Sequence, residues 1–204
     1  MKRKLNKRAM MLLVSLVVLV VASVGATLAY LIAATDPVEN TFTPAKVSCD
    51  VVELFENNVK KDVRIQNTGN TYAYIRAAIV VTWKNDEGEV YAATPVKDTD
   101  YSIAFDLENG WVEGNDGFYY YTKEVAPCTH TGEQEHTGCL TGVLITSCSP
   151  VDSQAPMEYY LSVEIVASAI QSAPDSVVGK EWSNAKVSIT AKDGTLTVET
   201  KQGG

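Results

Sequence analysis

Two long stretches of the chain alternate apolar and polar positions with a period of two. In "YAYIRAAIVVTW", Ala73, Ile75, Ala77, Ile79, Val81 and Trp83 fall on one face, and in "YLSVEIVASAI", Leu161, Val163, Ile165, Ala167 and Ala169 do the same. Successive strand side chains point to opposite sides, so both stretches predict long strands with one buried face. Shorter strand candidates are "VSCDVVELF", "DVRIQN", "YSIAFDL", "GFYYYTKEV", "LTGVLITS", "KVSIT" and "TLTVET". Turn residues separate them: "NTGN" at 67–70, "NDEGE" at 85–89, "ENG" and "GNDG" within 108–117, and "KDGT" at 192–195. About nine strands with no long helical pattern predict an all-β fold, a jelly-roll-like antiparallel β-sandwich. Only "APDSVVGKEWS" reads as a helical turn or two, with Asp175 placed to cap its start.

The pattern changes at the N-terminus. Lys2, Arg3, Lys4, Lys7 and Arg8 precede an uncharged apolar run from Ala9 to Thr35. A basic start followed by an apolar helix is an export signal. Small residues place cleavage between Ala29 and Ala34, around Ala29, Tyr30 and Leu31, and the run is also long enough to remain as a membrane anchor. In either case the remainder lies outside the cytoplasm, because the basic end stays inside. The chain then divides into a signal peptide (1–30), a flexible N-terminal segment (31–46) and one β-sandwich domain (47–204), with no internal repeat.

Export sharpens the charge balance. The whole chain has 17 Lys and Arg against 25 Asp and Glu; losing residues 1–30 removes five positive charges and no negative ones, leaving 12 against 25, a net of −13. Such a domain does not suit nucleic acid, whose phosphates demand clustered cations, nor adsorption to an anionic membrane. Membrane contact is expected only through residues 9–34 if the signal is retained.

Candidate chemistry concentrates in "PCTHTGEQEHTGC", where Cys128 and Cys139 enclose both histidines, His130 and His136. An even set of cysteines in an exported chain predicts disulfides. If "GFYYYTKEV" and "LTGVLITS" form a hairpin, Cys128 and Cys139 meet at its end and bond. Cys139 and Cys148 would then be held apart by an eight-residue strand at ~3.3 Å per residue, leaving Cys148 for Cys49. The alternative is a tetrahedral metal set of Cys128, His130, His136 and Cys139, although its spacing matches no common zinc pattern. No H-E-x-x-H, G-x-S-x-G or P-loop motif occurs. No catalytic residue and no cofactor are assigned. The aromatic run Phe118 to Tyr121 suits either a sugar platform or alternate packing on the core, and the alternation favours the core.

Several segments together carry a family resemblance. "GATLAYLIAATDPVENTFTPAKVSCDV" places Gly25 to Tyr30, then Asn40, Phe42 and Thr43, in a pattern that resembles the start of the TasA/camelysin family, exported Gram-positive proteins with a SipW-type signal peptide. "RIQNTGNTYAYIRAAI", "GWVEGNDGFYYYTKEVAPC" and "VEIVASAIQ" resemble further family segments, so the likeness runs over most of the chain. The resemblance implies a jelly-roll domain that assembles outside the cell, as a biofilm-matrix fibre subunit or accessory. Its partners would be further copies or related matrix subunits, and the signal peptidase during export. Camelysin itself is classed as a metallo-endopeptidase, the alternative activity the resemblance carries; a third reading is a monomeric, membrane-tethered surface-binding module. The four cysteines and the "CTHTGEQEHTGC" insertion depart from the family. Assembly has a candidate agent in Val38, Asn40 and Phe42, which export would free either to add a strand to a neighbour's open edge or to pair within their own sheet.

Overall fold

The structure, a computed structural model, describes residues 7–8, 10–12, 14–20, 45–128, 137–151 and 155–201. The chain divides into two compact units, Met1–Thr43 and Pro44–Gly204. In the first, the described residues between 7 and 20 are helical. No helix among the described residues is long and apolar enough to cross a membrane.

The second unit is built from antiparallel strands. One four-stranded sheet has the order β1 (Cys49–Glu56), β2 (Val59–Asn67), β7 (Ile145–Pro150), β4 (Tyr101–Phe105). The other has the order β5 (Trp111–Glu113), β6 (Tyr119–Tyr121), β3 (Ala73–Lys84), β8 (Tyr160–Gln171). A separate hairpin joins β9 (Val187–Lys192) to β10 (Thr195–Thr200). The two long alternating segments are β3 and β8, and they pair along their full length from Ala73↔Gln171 to Lys84↔Tyr160. Val63 and Ile65 of β2, Ile103 of β4 and Ile145 and Cys148 of β7 pack in one cluster with Ile75 and Ala77 of β3 and Trp111 of β5. Ile79, Val163, Ile165, Ala167 and Ala169 pack against it from the expected faces of β3 and β8. Apolar residues of both sheets thus meet in one shared core, on faces that period-two patterning makes apolar.

The opposite face of β3 and β6 is covered as well. Tyr74 and Tyr120 form a second core with Val178 and Trp182 of the helix Ser176–Trp182, Val187 and Ile189 of β9, and Leu196 of β10. This explains why β3 reads as nearly continuous burial at its start: Ala73, Tyr74 and Ile75 are all fully buried because both faces are covered there. The helix lies where the pattern placed it, but Asp175 does not cap it. Its backbone is already helical, and its side chain makes no capping hydrogen bond.

One expected pairing is absent. "GFYYYTKEV" and "LTGVLITS" do not form a hairpin: β6 pairs with β5 and β3, whereas β7 pairs with β2 and β4 in the other sheet. The hairpin partner of β6 is β5, because Gly117 at φ 88° permits the tight return that "GNDG" encodes. Beyond Tyr121 the chain leaves the strand and meets its neighbours through isolated bridges, Lys123 to Thr195 and Val125 to Ala73, and through backbone hydrogen bonds such as those from Leu196 N–H to Thr122 O and from Glu124 N–H to Gly194 O.

Candidate functional site

Cys128 and Cys139 are joined in a disulfide with their Cα atoms 5.1 Å apart. The bond forms without the expected hairpin because the end of β2 holds both cysteines. On one side the Cys128 backbone N–H donates to Asn67 O (3.2 Å) and the Gln66 Nε2 amide donates to Cys128 Sγ (2.9 Å). On the other, Leu140 bridges Gln66, Thr141 N–H donates to Ile65 O, and Ile65 N–H donates to Thr141 Oγ1. With the two sulfurs bonded to each other, the set Cys128, His130, His136 and Cys139 has no thiolate to offer a metal. His130 and His136 lie outside the described residues, and among the described residues no three His, Cys, Asp or Glu side chains gather where they could hold a metal ion.

Cys49 and Cys148 are not bonded. The register gives the reason: Cys49 faces Asn67 at one end of β2, and Cys148 faces Lys60 near the other. Those positions on β2 are about 23 Å apart at ~3.3 Å per residue, far beyond the ~4.4–6.8 Å a disulfide spans. Burial raises the Cys49 thiol pKa, helped by Asp50, and raises that of Cys148 against the opposing pull of Lys60. Both thiols stay protonated and unreactive at neutral pH.

The aromatic run belongs to the core. Tyr120 is fully buried and its hydroxyl donates to Asp116 Oδ2 (2.7 Å), while Tyr119 stacks on Phe105 with ring centres 4.9 Å apart and donates to Glu113. Tyr121 packs on Trp111. Phe118 and Trp182 bracket the Arg76 guanidinium at 4.2 and 4.7 Å, so a cation sits between the two aromatic faces and ties β3 to the helix.

The unpaired edges of the two sheets are the feature best suited to binding. β1 ends one sheet and β8 the other, with β4 and β5 as the remaining edges, and β1 and β8 lie beside each other. Between them runs a cleft of about 630 Å³, continued by a shallower groove of about 410 Å³. Phe55, Trp83, Tyr160 and Val163 line the cleft, and Val51, Ile165 and Val166 carry the apolar lining along the groove. Lys60, paired with Glu53 at 2.6 Å, stands at both. β1 is unusually exposed for a strand this apolar: Leu54 is 55% and Phe55 66% exposed. Nothing in the alternation of "VSCDVVELF" announced this edge, because strand order is a property of the folded chain.

"NTGN" builds a clamp next to the disulfide. Asn67 is fully buried; its Nδ2 donates to Thr71 O and Val125 O, and its Oδ1 accepts from Gly69 N–H. Thr68 N–H then donates to Ser48 O, Asn70 N–H donates to Lys46 O, and Lys46 N–H donates to Asn70 Oδ1 (2.6 Å). The turn therefore grips the point where the segment 31–46 joins β1. Ala29, Tyr30 and Leu31, and the candidate assembly residues Val38, Asn40 and Phe42, lie outside the described residues.

No protein-family model, curated protein or solved structure matches this chain.

Proposed function

We propose that the chain is an exported, non-enzymatic subunit or accessory of an extracellular matrix fibre that assembles by strand addition. Export rests on the basic and apolar start, and the disulfide suits an oxidising compartment. The fold supports a jelly-roll-like sandwich: β5·β6, β4·β7 and β3·β8 are nested antiparallel pairs, the pattern of a ribbon folded over on itself. In such a ribbon β2 would pair with a strand following β8. Here that partner is β1, which leaves β1 and β8 as neighbouring edges with an apolar cleft between them.

That cleft carries the functional reading. Unpaired edge N–H and C=O groups template an incoming strand, and alternate apolar side chains fill the pockets beneath. Val38 and Phe42 in "VENTF", separated by polar residues and preceded by a proline that discourages helix, offer such a strand to a second copy. The test is electron microscopy of the mature chain beside one lacking residues 31–44. Fibres from the first and monomers from the second are expected; folded monomers from both overturn the reading, and proteolysis abolished by a chelator would establish the peptidase alternative.

A further inference from the structure

We propose that the Cys128–Cys139 disulfide is a redox-sensitive lock on the base of the N-terminal segment. Three successive hydrogen-bonded links connect them. The disulfide is tied to Gln66 and Asn67 through Gln66 Nε2 and the Cys128 N–H. Asn67 organises the turn from inside, through Gly69 N–H and the carbonyls of Thr71 and Val125. Thr68 and Asn70 then hold Ser48 and Lys46, the residues that lead from the N-terminal segment into β1. The crosslink joins Cys128, which is bonded to Gln66 and Asn67, to Cys139 beside Leu140, which bridges Gln66, so the end of β2 is held just before the turn begins.

Reduction opens this arrangement by ordinary thiol chemistry. Cys128 is half-buried and Cys139 is only 3% exposed, so the thiolate of a small dithiol reaches the Cys128 sulfur first. The S–S bond breaks, Cys139 leaves as a thiolate and takes a proton, and the second thiol of the reagent closes on the mixed disulfide to release Cys128. Two electrons and two protons pass to the protein, and the dithiol becomes a cyclic disulfide. Cys128 and Cys139 are then no longer crosslinked, and the hydrogen bonds from the Cys128 N–H to Asn67 O and from the Gln66 amide to Cys128 Sγ are no longer pinned by the bond between the sulfurs. The Asn67–Asn70 clamp on Lys46 and Ser48 loosens. The effect on assembly rests on the strand-addition reading above; the loosening itself does not.

Amide hydrogen exchange on the full chain, with and without a dithiol, tests the lock independently of fibre formation. Free thiols should rise from the two of Cys49 and Cys148 to four. The Lys46, Thr68 and Asn70 amides should then exchange roughly tenfold faster or more, while the paired amides of β3 and β8 keep their rates. A Cys128→Ser/Cys139→Ser variant should reproduce that local change with no reductant present. Exchange unchanged at the three amides overturns the proposal, as does an equal acceleration throughout the sheets, which would make the disulfide a global staple. A thiol count that stays at two overturns its redox sensitivity.

Discussion

Gly69 shows how tightly one residue can be specified by backbone alone. A Cβ there would stand 2.4 Å from Lys46 O and 3.1 Å from Asn67 Oδ1, so the clamp has no room for a side chain. Gly69→Ala should destabilise the domain by about 1–3 kcal/mol, the usual range for overpacking, read as a lower urea midpoint. Titrating side chains make a second prediction. Burial, reinforced by Glu113 for Tyr119 and by Asp116 for Tyr120, raises both phenol pKa values to about 12 from an ordinary 10. Between those values the unfolded chain has released protons that the native chain still holds, so stability falls as pH rises from about 10 to 12. Tyr119→Phe/Tyr120→Phe should flatten that alkaline loss in urea titrations at successive pH values; an unchanged slope would mean the hydroxyls do not contribute to it. Asp116 acts at the other limit. Burial alone would raise its pKa, but hydrogen bonds from Tyr120, Asn184 and the Phe118 amide lower it overall. Its stabilising contribution is therefore present above the ordinary carboxylate pKa and lost as pH falls through the lowered one.

Among the elements, the helix Ser176–Trp182 is held by packing rather than by its own sequence. At seven residues it is too short to be stable alone, and no side chain caps its start. Trp182 fixes it, lying 5.9 Å from the Tyr120 ring and over Arg76. Trp182→Ala should cost about 3–5 kcal/mol and release the helix while the inter-sheet core persists. Loss of near-ultraviolet signal with β-sheet signal retained would show this; unchanged stability would contradict it. The strands β3 and β8 were legible in the sequence because twelve alternating residues leave one reasonable assignment, and their facing sets enter the core as patterned. The helix was legible from "APDSVVGKEWS". The pairing of β6 was not, since three residues carry no register signal and the neighbouring "GNDG" turn, not the cysteines, decided its partner. The Cys49–Cys148 pairing follows from that same hairpin and is absent with it. The Cys128–Cys139 bond was nevertheless anticipated, for a different physical reason: Gln66 and its neighbours on β2 gather both cysteines. The cleft was invisible to any linear reading, because it requires that β1 and β8, more than a hundred residues apart, end their sheets beside each other.

For the whole molecule, the two cores divide the labour. One core joins the two sheets, and the second covers the outer face at the start of β3 and at Tyr120 of β6. The side bearing β1 and β8 is open, and there exposed Leu54 and Phe55 stand by a cleft lined by Trp83, Tyr160 and Val163; it is a larger opening than the groove of about 330 Å³ at the β4 and β5 edges. On the proposed reading, a strongly acidic surface would keep subunits apart in solution, so their association would come from a short, specific contact such as a shared strand rather than from general stickiness. The most direct test of that account is electron microscopy of the mature chain and of the chain lacking residues 31–44, at equal concentration and with folding checked by circular dichroism. The account predicts fibres from the mature chain and only folded monomers from the shortened one. Fibres of the same form from both, or monomers from both, would contradict it.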